Sequence, residues 1–286
     1  MGAIDVGHAR AALFTPGNRP ERFAKAAATG ADALIFDLED AVAAGEKDKA
    51  RDVVIAHFAG EFRTALAAGQ AAGVRINNAH TAAGLRDLLA LAESHVVPDF
   101  VVLPKVESAF EVLLAARHLS GAQAGIPFVC AIESARGLDG AVAVAGASPR
   151  VRALALGGAD LAVDLRADNA WEALLFARSR LVQAAAASGI GVIDSPHFDL
   201  SDDAGLAGSS RRAKALGFTG RLAVHPRQVP VIQSAFMPTP EEVARAERIV
   251  AALDAAGGNV CELDGRMVEG PIVRAAHRVL ALARRR

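Results

Sequence analysis

Short apolar runs alternate with segments of helical periodicity along most of the 286-residue chain. Runs rich in Val, Ile, Leu and Phe, bounded by turn residues, read as strands. Eight fall in order, at 11–15, 33–37, 73–77, 100–104, 127–132, 152–156, 190–194 and 221–225. Helical patterns lie between them at 46–58, 82–92, 108–118, 169–187 and 203–216. The strands are almost continuously apolar, as parallel strands covered on both faces are. Eight βα units in this length predict a (β/α)₈ barrel. A doubly wound sheet is the alternative, but no GxGxxG opens a helix after any of the runs.

The barrel pattern is assigned to residues 1–237. Residues 238–286 read as a C-terminal extension, made of a helix at 239–256, a hairpin turning at Asp264-Gly265 and a final helix at 271–284. So short a tail is expected to lack a core of its own and to pack on the barrel or on a neighbouring subunit.

Composition narrows the function. Hydrophobic residues make up 52% of the chain and the net charge is −1, so neither disorder nor a nucleic-acid or membrane-surface footprint is indicated. Cys130 and Cys261 have no metal or disulfide spacing. No apolar stretch is long enough to span a membrane. The first residues lack the apolar core of a signal peptide, so a cytoplasmic location is expected.

In such a barrel the chemistry sits at the C-terminal strand ends. Here those ends carry TPGNRP (15–20), DLED (37–40), Arg75 with Asn77, Pro104-Lys105, Glu133, GGAD (157–160), Asp194 with His197, and His225. Glu133 and Asp160 close consecutive strands and form a candidate Mg²⁺ pair, because Mg²⁺ takes one or two protein carboxylates and leaves the rest of its octahedron to water and substrate. The competing reading pairs Glu133 with Arg136 and makes Asp160 a turn cap. Arg75 lies in an apolar strand and needs an anion. Asp37, Glu39 and a substrate carboxylate all qualify. Asp37, Glu39 and Asp40 crowd three carboxylates together and call for a cation, which Arg75, Lys47 or a metal could supply. Arg19, Arg22 and Lys25 recur every three residues on a helix opening near Pro20, either as a phosphate contact or as a solvated face.

Together LFTPGNRPERF (13–23), IFDLEDAV (35–42), VRIN (74–77), VLPKVES (102–108), AIESARG (131–137), LALGGADLAVDL (154–165), AVHPRQV (223–229) and GRMVEGP (265–271) resemble the citrate lyase beta-subunit-like family of the HpcH/HpaI aldolase superfamily. The resemblance implies a trimeric or hexameric lyase acting on a CoA thioester of a small hydroxy acid. Its Mg²⁺ would sit on Glu133 and Asp160. Arg75 with Gly158, Ala159 and Asp160 would hold the substrate, while Glu39 and Asp40, with Asp37, would surround the metal waters. CoA phosphates would meet Arg19, Arg22 or Lys25. It also implies that Glu269, where many relatives carry Asp, reaches a neighbouring protomer's site. A CoA-independent pyruvate-type aldolase and a non-catalytic subunit of a lyase complex are the rival readings.

Overall fold

The structure, a computed structural model, describes residues 4–60 and 62–284. Eight parallel strands close into a barrel: β1 (Ala11–Pro16), β2 (Ala33–Asp37), β3 (Ala71–Arg75), β4 (Phe100–Leu103), β5 (Phe128–Ile132), β6 (Val151–Leu156), β7 (Gly191–Asp194) and β8 (Gly220–Ala223). They pair in sequence order, and β8 closes on β1 through Leu222 opposite Ala12. A barrel has no open edge, which leaves one inner and one outer face.

A cluster of buried side chains draws alternate residues from all eight strands, among them Ala12, Ala33, Ile35, Ala71, Phe100, Ala131, Ala155, Ile193 and Leu222. Only the barrel interior can collect such a set. The two-residue period then carries each strand's inward register to the rim. Asp37 follows Ile35, Arg75 follows Gly73, Glu133 follows Ala131 and Gly157 follows Ala155. Phe100 fills the space left at Gly73, where a Cβ would lie 2.5 Å from the ring.

The barrel order and most boundaries agree with the sequence reading, with three corrections. The third strand starts at Ala71 and ends at Arg75. Its opening Ala-Ala pair carries no β-branched signal, yet its backbone is fixed by Ala71 N–H to Asp32 O and Ala72 N–H to the Asp99 carboxylate. The eighth strand stops at Ala223, where the Gln228 side chain accepts from the N–H groups of Val224 and His225. The helix expected over 169–187 begins only at Leu175. A separate helix, Gly158–Asp164, precedes it, and Trp171, outside any helix, stacks with the guanidinium groups of Arg178 and Arg212 at 4.5 and 4.4 Å from its ring centroid.

The chain divides into two compact units, Met1–Gln233 and Ser234–Arg286. The second unit holds a helix, Pro240–Ala255, opened by a Thr239/Glu242 capping box. A two-stranded hairpin, β9 (Cys261–Leu263) and β10 (Arg266–Val268), turns on Asp264 and Gly265, both with left-handed φ. The final helix runs Gly270–Ala283. Contrary to expectation this unit gathers a small core of its own, of Ala246, Ile249, Val268, Val273 and Ala276. The two helices face each other over the hairpin, and that is enough to enclose these five side chains. Among the described residues no helix is long and apolar enough to cross a membrane.

Candidate active site

The barrel rim assembles around a buried ion-pair network. Asp37 ends β2 fully buried, directly opposite Arg75 at the end of β3. Both Asp37 oxygens are taken by Arg75, Nε to Oδ1 at 2.6 Å and Nη2 to Oδ2 at 2.7 Å. They also accept the N–H groups of Glu39 and Ala41, so Asp37 shapes the loop that carries Glu39 and Asp40. Arg75 Nη1 lies 2.9 Å from Glu39 Oε2, and its guanidinium stacks 4.5 Å over the Phe14 ring. Burial opposes the Arg75 charge, but the paired Asp37 and Glu39 outweigh it and hold the guanidinium above its ordinary range.

The same loop is tied from outside. Lys47 donates to the carbonyls of Leu38 and Glu39 and to Asn77 Oδ1. Asn77 is fixed by the fully buried Asp87, itself held by Arg51. Lys105 reaches in from the fourth strand end, 2.7 Å from Glu39 Oε1 and 3.2 Å from Asp40. Its own backbone is left-handed, with φ 52°, which turns the side chain onto this loop. Burial pushes the Glu39 carboxyl above its ordinary range despite Arg75 and Lys105. Burial likewise opposes the Lys105 charge, but Glu39 and Asp40 raise the ammonium.

Glu133 is the unusual member. It is 5% exposed, and its Oε2 has no hydrogen-bond partner. Burial is the main cause that raises its carboxyl to about 8, reinforced by the Glu39 and Asp160 charges and opposed by Arg75 and Lys105. A buried carboxylate without a partner is costly unless it is protonated or meets a cation. Gly157 makes room for it, since a Cβ there would lie 2.3 Å from Glu133 Cγ. Asp160 sits exposed in the first turn of the Gly158–Asp164 helix, lining the same cavity as Glu133, Arg75, Asp37, Asp40, Gly158 and Ala159. No hydrogen bond or ion pair within the described residues engages the Asp160 carboxylate. The alternative partners are corrected: Arg136 approaches Glu107, at 4.0 Å, and Gly157 is the helix cap.

Among the described residues no three His, Cys, Asp or Glu side chains gather as a metal group. Two carboxylates facing one cavity, one of them orphaned and buried, nevertheless suit Mg²⁺, which leaves most of its octahedron to water and substrate.

The basic trio is placed differently. The segment after β1 is a single 3₁₀ turn, Pro20–Arg22, and a five-residue helix, Phe23–Ala27. Arg19, Arg22 and Lys25 are exposed and do not line the cavity. Glu269 is exposed in the second unit, at the cap of the final helix. Sequence reasoning passed over Lys105 as a site group and missed the adjoining polar cleft of about 550 Å³, lined by His80, Lys105, Ser134 and Arg136 beside Glu133 and Asp160. Only the position of Lys105 after a strand-ending Pro104 hinted at it.

Comparison with known proteins fixes the class. The HpcH/HpaI aldolase/citrate lyase family matches residues 10–226. Citrate lyase subunit beta of Escherichia coli K12 is 36% identical, over 96% of this chain and 93% of its own. Human mitochondrial citramalyl-CoA lyase is 33% identical, over 96% and 85%. The crystal structure of CitE from Mycobacterium tuberculosis in complex with magnesium, acetoacetate and coenzyme A superposes with a TM-score of 0.82 at 35% identity, covering 97% of this chain and 99% of that one. Fold, rim and relatives define a carbon–carbon lyase. The chain belongs to the HpcH/HpaI aldolase/citrate lyase family.

Proposed function

We propose that this enzyme is a Mg²⁺-dependent lyase that cleaves, or in reverse forms, a carbon–carbon bond of a 3-hydroxyacyl-CoA thioester such as citramalyl-, malyl- or citryl-CoA. The products are a 2-oxo acid and acetyl-CoA or an analogue. The observation that carries this reading is the orphaned, buried Glu133 carboxylate, facing one cavity with Asp160 and Arg75. Relatives crystallised with magnesium, acetoacetate and coenzyme A, and with oxaloacetate and magnesium, support it.

Glu133 and Asp160 would hold the Mg²⁺, which supplies a Lewis acid to the substrate's carboxylate and hydroxyl oxygens. Arg75 has five N–H groups; two donate to Asp37, and Nη1 lies against Glu39 Oε2 as an ion pair. The rest are left for a substrate oxygen, and the Asp37 clamp holds the guanidinium in place before substrate arrives. Asp40 lines the cavity mouth and receives the substrate's hydroxyl proton. The hydroxyl carbon becomes a ketone, the carbon–carbon bond breaks, and its electron pair moves into the thioester enolate. A proton returned to that carbon gives the acyl-CoA. Glu39 and Lys105 fix Asp40 and Arg75, so they position rather than react.

Two further assignments rest on the family resemblance. Arg19, Arg22 and Lys25 would offer phosphate contacts to CoA, and Glu269 would serve the site of a neighbouring copy in a trimer or hexamer. Co-purified Arg75 and Glu269 variants that regain activity on subunit mixing would support the shared site, and mixtures as inactive as their parts would refute it. The test of the function is a panel of citramalyl-, malyl-, citryl- and methylmalyl-CoA with Mg²⁺. Equal release of 2-oxo acid and acyl-CoA from at least one is expected. Turnover of CoA-free hydroxy-oxo acids alone would move the enzyme to the pyruvate-type aldolases.

A further inference from the structure

Barrels of this kind fill their interior with layers of bulky branched side chains. This one does so only in part. Ile35, Val102, Val129, Ile193 and Leu222 are branched, but the interior positions of β3 and β6 and the upper one of β5 are Ala71, Gly73, Ala153, Ala155 and Ala131, and Phe100 takes up the space at Gly73. A cavity of about 280 Å³ is left, which includes the mouth beside Asp40, Asp160 and Phe198 and runs from Arg75 and Glu133 at the rim down past Ala131, Ala155, Ile193 and Leu222 to Val6. An apolar cavity of about 150 Å³ already takes benzene and stays free of water. Below the rim the described residues lining this shaft have apolar side chains, which give water little to bind. Its upper end opens on Glu133 and Arg75, where the Mg²⁺ and the substrate carboxylate are assigned above, so a substituent of the bound acid is aimed at it.

Charge limits what can enter. Arg75 is the one cation among the residues lining the cavity, and it already holds Asp37 and Glu39. Asp37, Asp40, Glu133 and Asp160 line it as well. A second substrate carboxylate directed into the shaft would meet only hydrocarbon side chains below the rim, at a high desolvation cost.

We propose that the shaft is a specificity pocket for an apolar substituent on the 2-oxo acid half of the substrate. The preferred fragment is then a monocarboxylic 2-oxo acid with an alkyl group of about three or four carbons or a benzyl group, larger than the methyl of pyruvate. This rests on the lyase reading above and adds the substrate class to it.

The test uses the full-length Mg²⁺-loaded enzyme with pyruvate, 2-oxobutyrate, 2-oxopentanoate, 2-oxohexanoate, phenylpyruvate and oxaloacetate. Binding of each acid is measured by calorimetry, and condensation with acetyl-CoA gives kcat/KM. Affinity and kcat/KM should rise by about fivefold per added methylene up to the five- or six-carbon acids, roughly what one buried methylene contributes. Oxaloacetate should fall below pyruvate. Ala155→Val should cut the ratio of 2-oxopentanoate to pyruvate to one or less, and Ala131→Val, at another depth, should act in the same direction if the first variant folds poorly. Values that fall steadily from pyruvate onward would overturn the shaft while leaving the lyase reading in place. Absence of condensation with every acid would count against the lyase reading instead, and the calorimetric series would still decide the shaft: tightening with chain length sustains it, weakening or no binding overturns it.

Discussion

Arg75 and Asp37 meet as a two-pronged pair on neighbouring strands, with both contacts below 2.8 Å and Asp37 sealed from solvent. The pair gives Arg75 a strand-end carboxylate as partner, one of the anions the sequence offered, and leaves it N–H groups for a second.

Arg75→Lys retains the charge but loses the planar fork. A drop in kcat/KM of roughly tenfold or more is expected, since a lysine cannot hold Asp37 and a substrate oxygen together. Asp37→Asn leaves a buried guanidinium short of its partner, and a loss of about 3–5 kcal/mol in urea unfolding is expected. Unchanged stability in that variant would mean that Glu39 alone can carry Arg75.

Glu133 makes the metal-free protein sensitive to pH. Burial raises its carboxyl from an ordinary 4.5 to about 8 in the folded chain. The unfolded chain therefore releases the proton first. The stabilising contribution is complete below about 4.5 and is lost as pH rises through about 8. Metal-free Tm should decline across that window, and Glu133→Gln should flatten the decline. Mg²⁺ binding should expel a proton near neutral pH, so its apparent affinity should rise with pH up to about 8. Calorimetry in buffers of different ionisation enthalpy reads that proton, and a proton count of zero would argue that Glu133 does not meet the ion.

Gly157 has no Cβ to collide with Glu133. Gly157→Ala should push the Glu133 side chain off the cavity and weaken Mg²⁺ binding on the order of 10-fold or more, as loss of a supporting position around a metal does. Tm without metal should change far less than Mg²⁺ affinity. Equal affinity in both proteins would show that the glycine serves only the turn.

Arg19, Arg22 and Lys25 are solvated, and exposed ion pairs contribute little each. Neutralising all three should raise KM for CoA thioesters about two- to fivefold, with a shallower dependence on salt. An unchanged KM would return the segment to a plain solvated surface and direct attention to the cleft of His80, Lys105 and Arg136.

Much of this site could be read from strand periodicity. Asp37, Arg75 and Glu133 each stand two residues beyond an interior residue, so their inward direction follows from sequence once the strands are placed. Other parts could not be read. Lys105 enters through a left-handed backbone that non-glycine residues rarely adopt. The Gly158–Asp164 helix is capped by a glycine, which gives no side-chain signal for a helix start. The hairpin was visible because Asp264-Gly265 meets the backbone demand of its turn. The shaft was invisible because alanines inside and outside a strand look alike.

Mg²⁺-restored cleavage tests the central claim most directly. Wild type, Glu133→Gln and Asp160→Asn are stripped with EDTA, returned to excess Mg²⁺ and given the best thioester of the panel, with 2-oxo acid release followed over time. Stripped wild type should be inactive and should recover fully with Mg²⁺, while both variants should stay roughly 10²-fold or more below it, as losses of charge-stabilising groups do. Full activity in EDTA, or variants that recover like wild type, would contradict a lyase centred on Glu133 and Asp160.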